Sequence, residues 1–175
     1  MNNSSFVFVR AINTGARRLS NDEQIAPLLA AGFRDVAAYQ AAGNLVVGPG
    51  VPDESVLDDL LGTAYGFDVV TFVRTADELE QCIASQPFDD AHIAATAGRI
   101  QVTFLRREPT AAQIAEVEAV VPDEDAVRFA GRVWYWLPLD GVSTSSLPVA
   151  HIERIVGPMT MRTLGTVERL LAKFT

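Results

Sequence analysis

Apolar residues fall along this chain in short runs, and the spacing inside the runs alternates between strand and helix periods. The first run, residues 6–12, is apolar on both faces, as a central strand requires. A polar loop follows, and then Ser20 and Glu23 form a capping box ahead of the helical stripe Ile25, Leu28 and Leu29, which Gly32 ends. Pro27 inside that stripe predicts a late start or a bend. Residues 36–39 and 45–47 read as strands around a turn at Ala42-Gly43-Asn44. A helix carrying Val56, Leu57, Leu60 and Leu61 comes next, then a strand over 67–73. Thr75 and Glu78 cap a further helix through Leu79 and Ile83.

The same order then recurs. Residues 100–106 form a strand, and Thr110 with Gln113 caps a helix bearing Ile114, Val117 and Val121. Strands over 126–129 and 133–137 turn at Ala130-Gly131. Ser146 precedes a helix with Pro148 in its first turn and Ile152 and Ile155 on its inner face. A strand over 158–162 leads to Thr163 and a terminal helix with Val167, Leu170 and Leu171.

The halves also match in residues. Phe8-Val9-Arg10 parallels Phe104-Leu105-Arg106, Gly43 parallels Gly131, and Val73-Arg74-Thr75 parallels Met161-Arg162-Thr163. The first pair is offset by 96 residues and the other two by 88, which places an eight-residue excess in the loop after the first strand. The fold expected is α+β: two tandem ferredoxin-like βαββαβ repeats with antiparallel sheets and an extra helix after each. Residues 1–86 make the first repeat, 99–175 the second, and 87–98 a loop-like connection. A βαββαβ unit covers one sheet face with its helices. The other face, holding Phe8 and Phe104, should therefore be buried against the second repeat or another subunit.

Composition narrows the function classes. Hydrophobic residues are 49% and charged residues 21% of the 175, which suits a globular protein. No apolar run is long enough to span a membrane. The start, Met1 to Ser5, lacks the basic and apolar regions of a signal peptide, and Cys82 is the only cysteine. A cytoplasmic protein is expected. Net charge is −8; residues 1–90 hold five Arg against thirteen acids, and residues 91–175 balance nine against nine. Nucleic acid needs clustered positive charge, so it ranks last among partners.

Several segments resemble a known bacterial family. Arg10-Ala11-Ile12-Asn13-Thr14-Gly15 resembles the R-G-I-N-V-G opening of the domain-of-unknown-function family DUF1697. Gly32-Phe33-Arg34-Asp35-Val36 is similar to its G-F-x-D-V, and Tyr39 to Asn44 to its Y-x-Q-S-G-N. Phe72 to Leu79 and Gly131-Arg132-Val133-Trp134-Tyr135 continue the match. The resemblance implies a duplicated ferredoxin-like arrangement and no established activity. Two motifs depart. The family's G-x-S-K-L reads Ser145-Ser146-Leu147 here, without the lysine. Its T-R-N-W-N-T reads Met161-Arg162-Thr163-Leu164-Gly165-Thr166.

Catalytic signatures are sparse. His92, His151 and Cys82 have no paired metal-ligand spacing, so neither a metal nor a cofactor is expected. Asp22-Glu23 and Asp89-Asp90 read as helix caps or surface groups rather than acid–base pairs. Arg74 and Arg162, at equivalent strand ends, suit bonding to backbone carbonyls. The best ligand candidates are Arg10, Asn13, Gly15, Arg17 and Arg18 in the long first loop, joined by Asn44 if the fold brings it near. Guanidinium forks and backbone N–H groups there suit a phosphate or carboxylate, and the capped helix that follows attracts anions at its start. The leading expectation is a non-enzymatic binding or interaction protein, its partner an anionic small molecule or another protein. An enzyme of unrecognised type that depends on a small molecule or a phosphate-bearing anion is the alternative. A weak nucleic-acid binder acting through a sheet face comes third.

Overall fold

The computed structural model describes residues 4–10, 12–13, 18–96 and 99–175. The first sheet contains β1 (Ser5–Val9), β2 (Ala37–Tyr39), β3 (Asn44–Val47) and β4 (Thr71–Thr75), in the antiparallel order β2-β3-β1-β4. Its crossovers run through α1 (Asn21–Ala30) and α2 (Glu54–Tyr65). After β4 come α3 (Ala76–Ala84) and a short α4 (Asp90–Ala94). The second sheet contains β5 (Gln101–Leu105), β6 (Ala126–Ala130), β7 (Val133–Leu137) and β8 (Met159–Thr163), in the matching order β6-β7-β5-β8. Here α5 (Ala111–Glu118) and α6 (Val149–Val156) are the crossovers, and α7 (Leu164–Phe174) follows β8. This is the βαββαβ pattern twice over, with an extra helix after each copy, as the repeat predicts.

The chain divides into two compact units, one of residues 1–80 with 170–175 and the other of residues 81–169. The change of unit thus falls inside α3 and again inside α7.

In the first unit, strand alternation sends Val7, Val9, Leu45 and Val47 to the face that meets Leu28 of α1 and Leu57 and Leu61 of α2. The opposite face carries two rows. Phe8 lies opposite Asn44 and Phe72, and Phe6 lies opposite Val46 and Arg74. All six of these side chains are buried. In the second unit Leu105, Val127, Trp134, Trp136 and Met159 pack with Val117 of α5 and Ile152 of α6. On its other face Val102, Phe104 and Tyr135 are buried. Phe8 and Phe104 are both fully buried, as their position required.

Several details differ from the sequence expectation. β4 begins at Thr71, not residue 67. The apolar residues before it serve the helix side instead: Phe67 stacks on Tyr65 with ring centroids 5.7 Å apart. Thr71 then starts the strand, its N–H and hydroxyl both held by the Asp58 carboxylate at 2.7 and 2.8 Å. The connecting stretch contains α4 because Asp89 caps it, accepting the His92 N–H at 2.8 Å. Pro27 neither delays nor truncates α1, which runs from Asn21 past it. Pro148 occupies the N-cap of α6 and not its first turn.

The length difference between repeats is also shared out differently. Ten residues separate Val9 from the cap Ser20, and four separate Leu105 from the cap Thr110, so the first loop is longer by six. Four residues join β2 to β3, but two join β6 to β7. The strand register confirms this shift. Val9 N–H donates to the Gly43 carbonyl, whereas its counterpart Leu105 donates to Arg132. Gly43 and Gly131 are therefore not equivalent in register, although both have positive φ.

Candidate functional site

The first loop leaves β1 at Arg10, whose N–H donates to Val70 O at 2.9 Å. Ile12 turns into the core of the first unit. Asn13 has φ +56°, a left-handed conformation that asparagine tolerates better than most residues. Its side-chain amide donates to Leu19 O at 2.8 Å and also to Ala41 O, while its Oδ1 accepts the Leu19 N–H. One carboxamide thus closes the loop on itself and ties it to the β2–β3 turn. The Arg18 guanidinium donates to Asn13 O at 2.9 Å from the exposed side.

A buried glutamine reinforces the junction from beneath. Gln24 of α1 is fully buried. It donates to Leu19 O at 2.9 Å and accepts the Gly43 N–H at 3.2 Å, and the Tyr65 hydroxyl donates to its carbonyl at 2.6 Å. Burial pushes the Tyr65 pKa up, so the phenol stays protonated and keeps donating. Asn21 Oδ1 accepts the Ala41 N–H at 2.8 Å. Asn44 reaches the same turn from β3, donating to Tyr39 O at 3.3 Å. Asn13 and Asn44 therefore converge on one hairpin turn and spend their amides on its backbone. Arg10 is half-buried and Arg18 exposed at the two ends of the loop. Gly15 and Arg17 lie outside the described residues.

The start of α1 is already occupied by acid. Ser20 N–H and hydroxyl both donate to Glu23 Oε2 at 2.8 Å, and Asp22 stands beside them. Those bonds, the backbone one foremost, hold the Glu23 carboxyl below its ordinary pKa. Attraction of an anion to this loop must therefore come from guanidinium groups and not from the helix end.

The other sequence candidates have structural partners. Asp89 caps α4, and its carboxyl is lowered first by the His92 N–H; the His92 ring lies 2.9 Å away. Cys82 is buried, and its carbonyl accepts the Tyr135 hydroxyl at 2.7 Å. Among the described residues no group of three His, Cys, Asp or Glu side chains is placed to hold a metal ion. Arg74 and Arg162 each donate to the carbonyl of the residue before, at 2.7 Å. Burial lowers the Arg162 pKa to about 10, which still leaves it charged at neutral pH. In the departed Ser145-Ser146-Leu147 segment, Ser145 donates to Asp125, a buried carboxylate that also accepts the Trp136 indole N–H at 3.0 Å. That segment is thus bonded into the second unit.

Sequence reading missed a cleft of about 620 Å³ in the second unit, at the counterpart of the first loop. Arg106 and Arg107 from the β5–α5 loop meet Arg154 from the end of α6 there. The sequence signal was present in Arg106-Arg107 ahead of the Thr110 cap. Its partner Arg154 is distant in sequence, so spacing gave no sign of the cluster.

Comparison with known proteins adds ancestry. A family model described as "Protein of unknown function (DUF1697)" matches residues 3–135. Among solved structures, the conserved bacterial protein SP0830 from Streptococcus pneumoniae is similar with a TM-score of 0.68 and 18% identity, covering 98% of each chain. At that identity the likeness speaks for the fold alone. No curated protein matches the chain.

Proposed function

We propose, for a chain that belongs to the DUF1697 family of proteins of unknown function, a non-enzymatic role: it binds an anionic ligand at the loop between β1 and α1. One observation carries the reading. The Asn13 carboxamide bonds both Leu19 and Ala41, and Arg18 donates to the Asn13 carbonyl, so that guanidinium group is tied to a loop that is itself anchored on the β2–β3 turn. Pre-organised guanidinium forks favour a phosphate or a carboxylate, because less freedom is lost when the ligand arrives. In this reading Asn13 and Asn44 are positioning residues and Arg10 and Arg18 bind the ligand; Arg17 and Gly15, outside the described residues, are assigned to the site by the sequence alone. The ligand is an anionic small molecule or a carboxylate on a partner protein.

The paired carboxylates support a non-catalytic role, since Glu23 and Asp89 serve as helix caps. A nucleic-acid role through a sheet face loses its platform, because stacking needs exposed rings and Phe8 and Phe104 are fully buried. The setting proposed is cytoplasmic. No described helix is long and apolar enough to cross a membrane.

The test is a phosphate titration followed by amide resonances. Residues 10–20 should shift saturably, and Arg17→Ala with Arg18→Ala should abolish those shifts without moving the ligand-free melting temperature. Shifts that survive the double substitution would refute the placement.

A further inference from the structure

We infer that the second repeat holds its own binding site for a phosphate-bearing small molecule, in the cleft between the β5–α5 loop and the end of α6. This inference stands on the second unit alone and does not rest on the reading of the first loop.

The cleft encloses about 620 Å³, within the range of pockets that take metabolite-sized ligands. Three arginines line it, Arg106, Arg107 and Arg154, the last with a guanidinium nitrogen 3.3 Å from His151 Nδ1, against one acidic residue, Glu108. That excess is notable in a chain of net charge −8. Two other clefts show the contrast. One is lined by Asp58, Asp59 and Asp68 with no basic residue, and another by Glu118, Asp123 and Asp125 with Arg128 alone. An anion is repelled from those and drawn to this one.

The helix that opens into the cleft points the same way. α5 starts at Thr110, and its capping box is neutral: Thr110 accepts the Gln113 N–H, and Gln113 accepts the Thr110 N–H at 2.9 Å. No acid stands in its first turn, unlike the Asp22 and Glu23 of α1. The positive end of the helix dipole is therefore not cancelled, and the first backbone N–H groups have no acceptor within the helix. The walls are also fixed. Gln113 uses its other end to donate to Ile155 O, joining the start of α5 to the last turn of α6. Arg154 sits in that last turn, where a cation offsets the negative end of α6. The walls that carry the arginines are thus joined before a ligand arrives, which lowers the ordering loss on binding.

A phosphate suits the site better than a single carboxylate. It carries nearly two negative charges at neutral pH and offers more acceptor oxygens to three forks. The volume left around it takes the body of a nucleotide or sugar phosphate.

The experiment is calorimetric titration of the full chain with inorganic phosphate, a nucleoside monophosphate and citrate. It uses wild type, Arg107→Gln with Arg154→Gln, and Arg17→Ala with Arg18→Ala. Arg107 and Arg154 are exposed, so the substitutions should leave the circular dichroism spectrum and melting temperature in place. Saturable binding of the nucleoside monophosphate that weakens about tenfold or more in the Arg107/Arg154 variant supports the site. It must also survive in the Arg17/Arg18 variant. Binding lost only in the Arg17/Arg18 variant overturns this inference and leaves the first-loop reading standing. Citrate binding as tightly as the nucleotide overturns the phosphate assignment. No saturable binding of either phosphate probe at millimolar concentration overturns the site.

Discussion

Replacing Gly43 by alanine tests how tightly the β1–α1 loop is seated on the β2–β3 turn. Gly43 has φ +69°, and a Cβ added there would lie 2.6 Å from the Val9 carbonyl oxygen and 2.6 Å from the Ile12 Cγ2. Val9 cannot retreat, because its own N–H donates to Gly43 O at 2.7 Å and it sits in the central strand. Two penalties follow. The left-handed conformation costs an alanine roughly 1–2 kcal/mol. Overpacking against a fixed backbone atom adds about 1–3 kcal/mol. Gly131 is the internal control: its φ is +56°, but an added Cβ there meets nothing within 4 Å. Gly131→Ala should therefore suffer only the conformational penalty, about 1–2 kcal/mol. The entropy that alanine removes from the unfolded chain is common to both and cancels in the comparison. Gly43→Ala should thus be worse by about 1–3 kcal/mol. Urea denaturation followed by far-ultraviolet circular dichroism and tryptophan fluorescence measures this. Both tryptophans, Trp134 and Trp136, lie in the second unit, so fluorescence reports that unit and dichroism reports both. Equal losses for the two variants would show that the turn yields freely and that the loop is not held as described.

Other consequences can be checked in the same way. Phe8→Ala removes a fully buried ring and should destabilise by roughly 3–5 kcal/mol; a loss under about 1 kcal/mol in chemical denaturation would contradict its burial. The Thr103 hydroxyl and the Trp134 indole N–H are buried without a protein partner among the described residues. Thr103→Val should therefore leave stability unchanged or raise it by about 1 kcal/mol, and a clear loss would mean that the hydroxyl is hydrogen-bonded in solution. Because Glu23 has a lowered pKa when folded, its cap is at full strength above the unfolded pKa and fades as pH falls through the folded one. Wild type should lose its urea-midpoint advantage over Glu23→Gln on acidification, and a gap that stays constant into acid would show that the charge plays no part.

Much of the fold could be read from sequence because its signals are local. The Ser20–Glu23 and Thr110–Gln113 boxes marked two helix starts that the structure keeps, and Thr75 with Glu78 marked a third. Strand order followed from the repeat. What escaped depended on distant partners. Residues 67–70 looked like a strand because three of the four, Phe67, Val69 and Val70, are apolar and strand-forming, but Asp58 decides where β4 begins. Asn13 carried a recognisable motif, yet its partner Ala41 lies in another turn, so its clamping role could not be seen. The arginine cleft needed α6 folded back beside α5, a contact made through Gln113 and Ile155.

The central claim is that this protein is a binder of anions, and titration calorimetry of the unmodified chain with phosphate-bearing probes tests it most directly. The account predicts saturable heat at millimolar concentration or below, together with a rise in melting temperature that grows with ligand. Neither heat nor stabilisation from any anion in that range would contradict it.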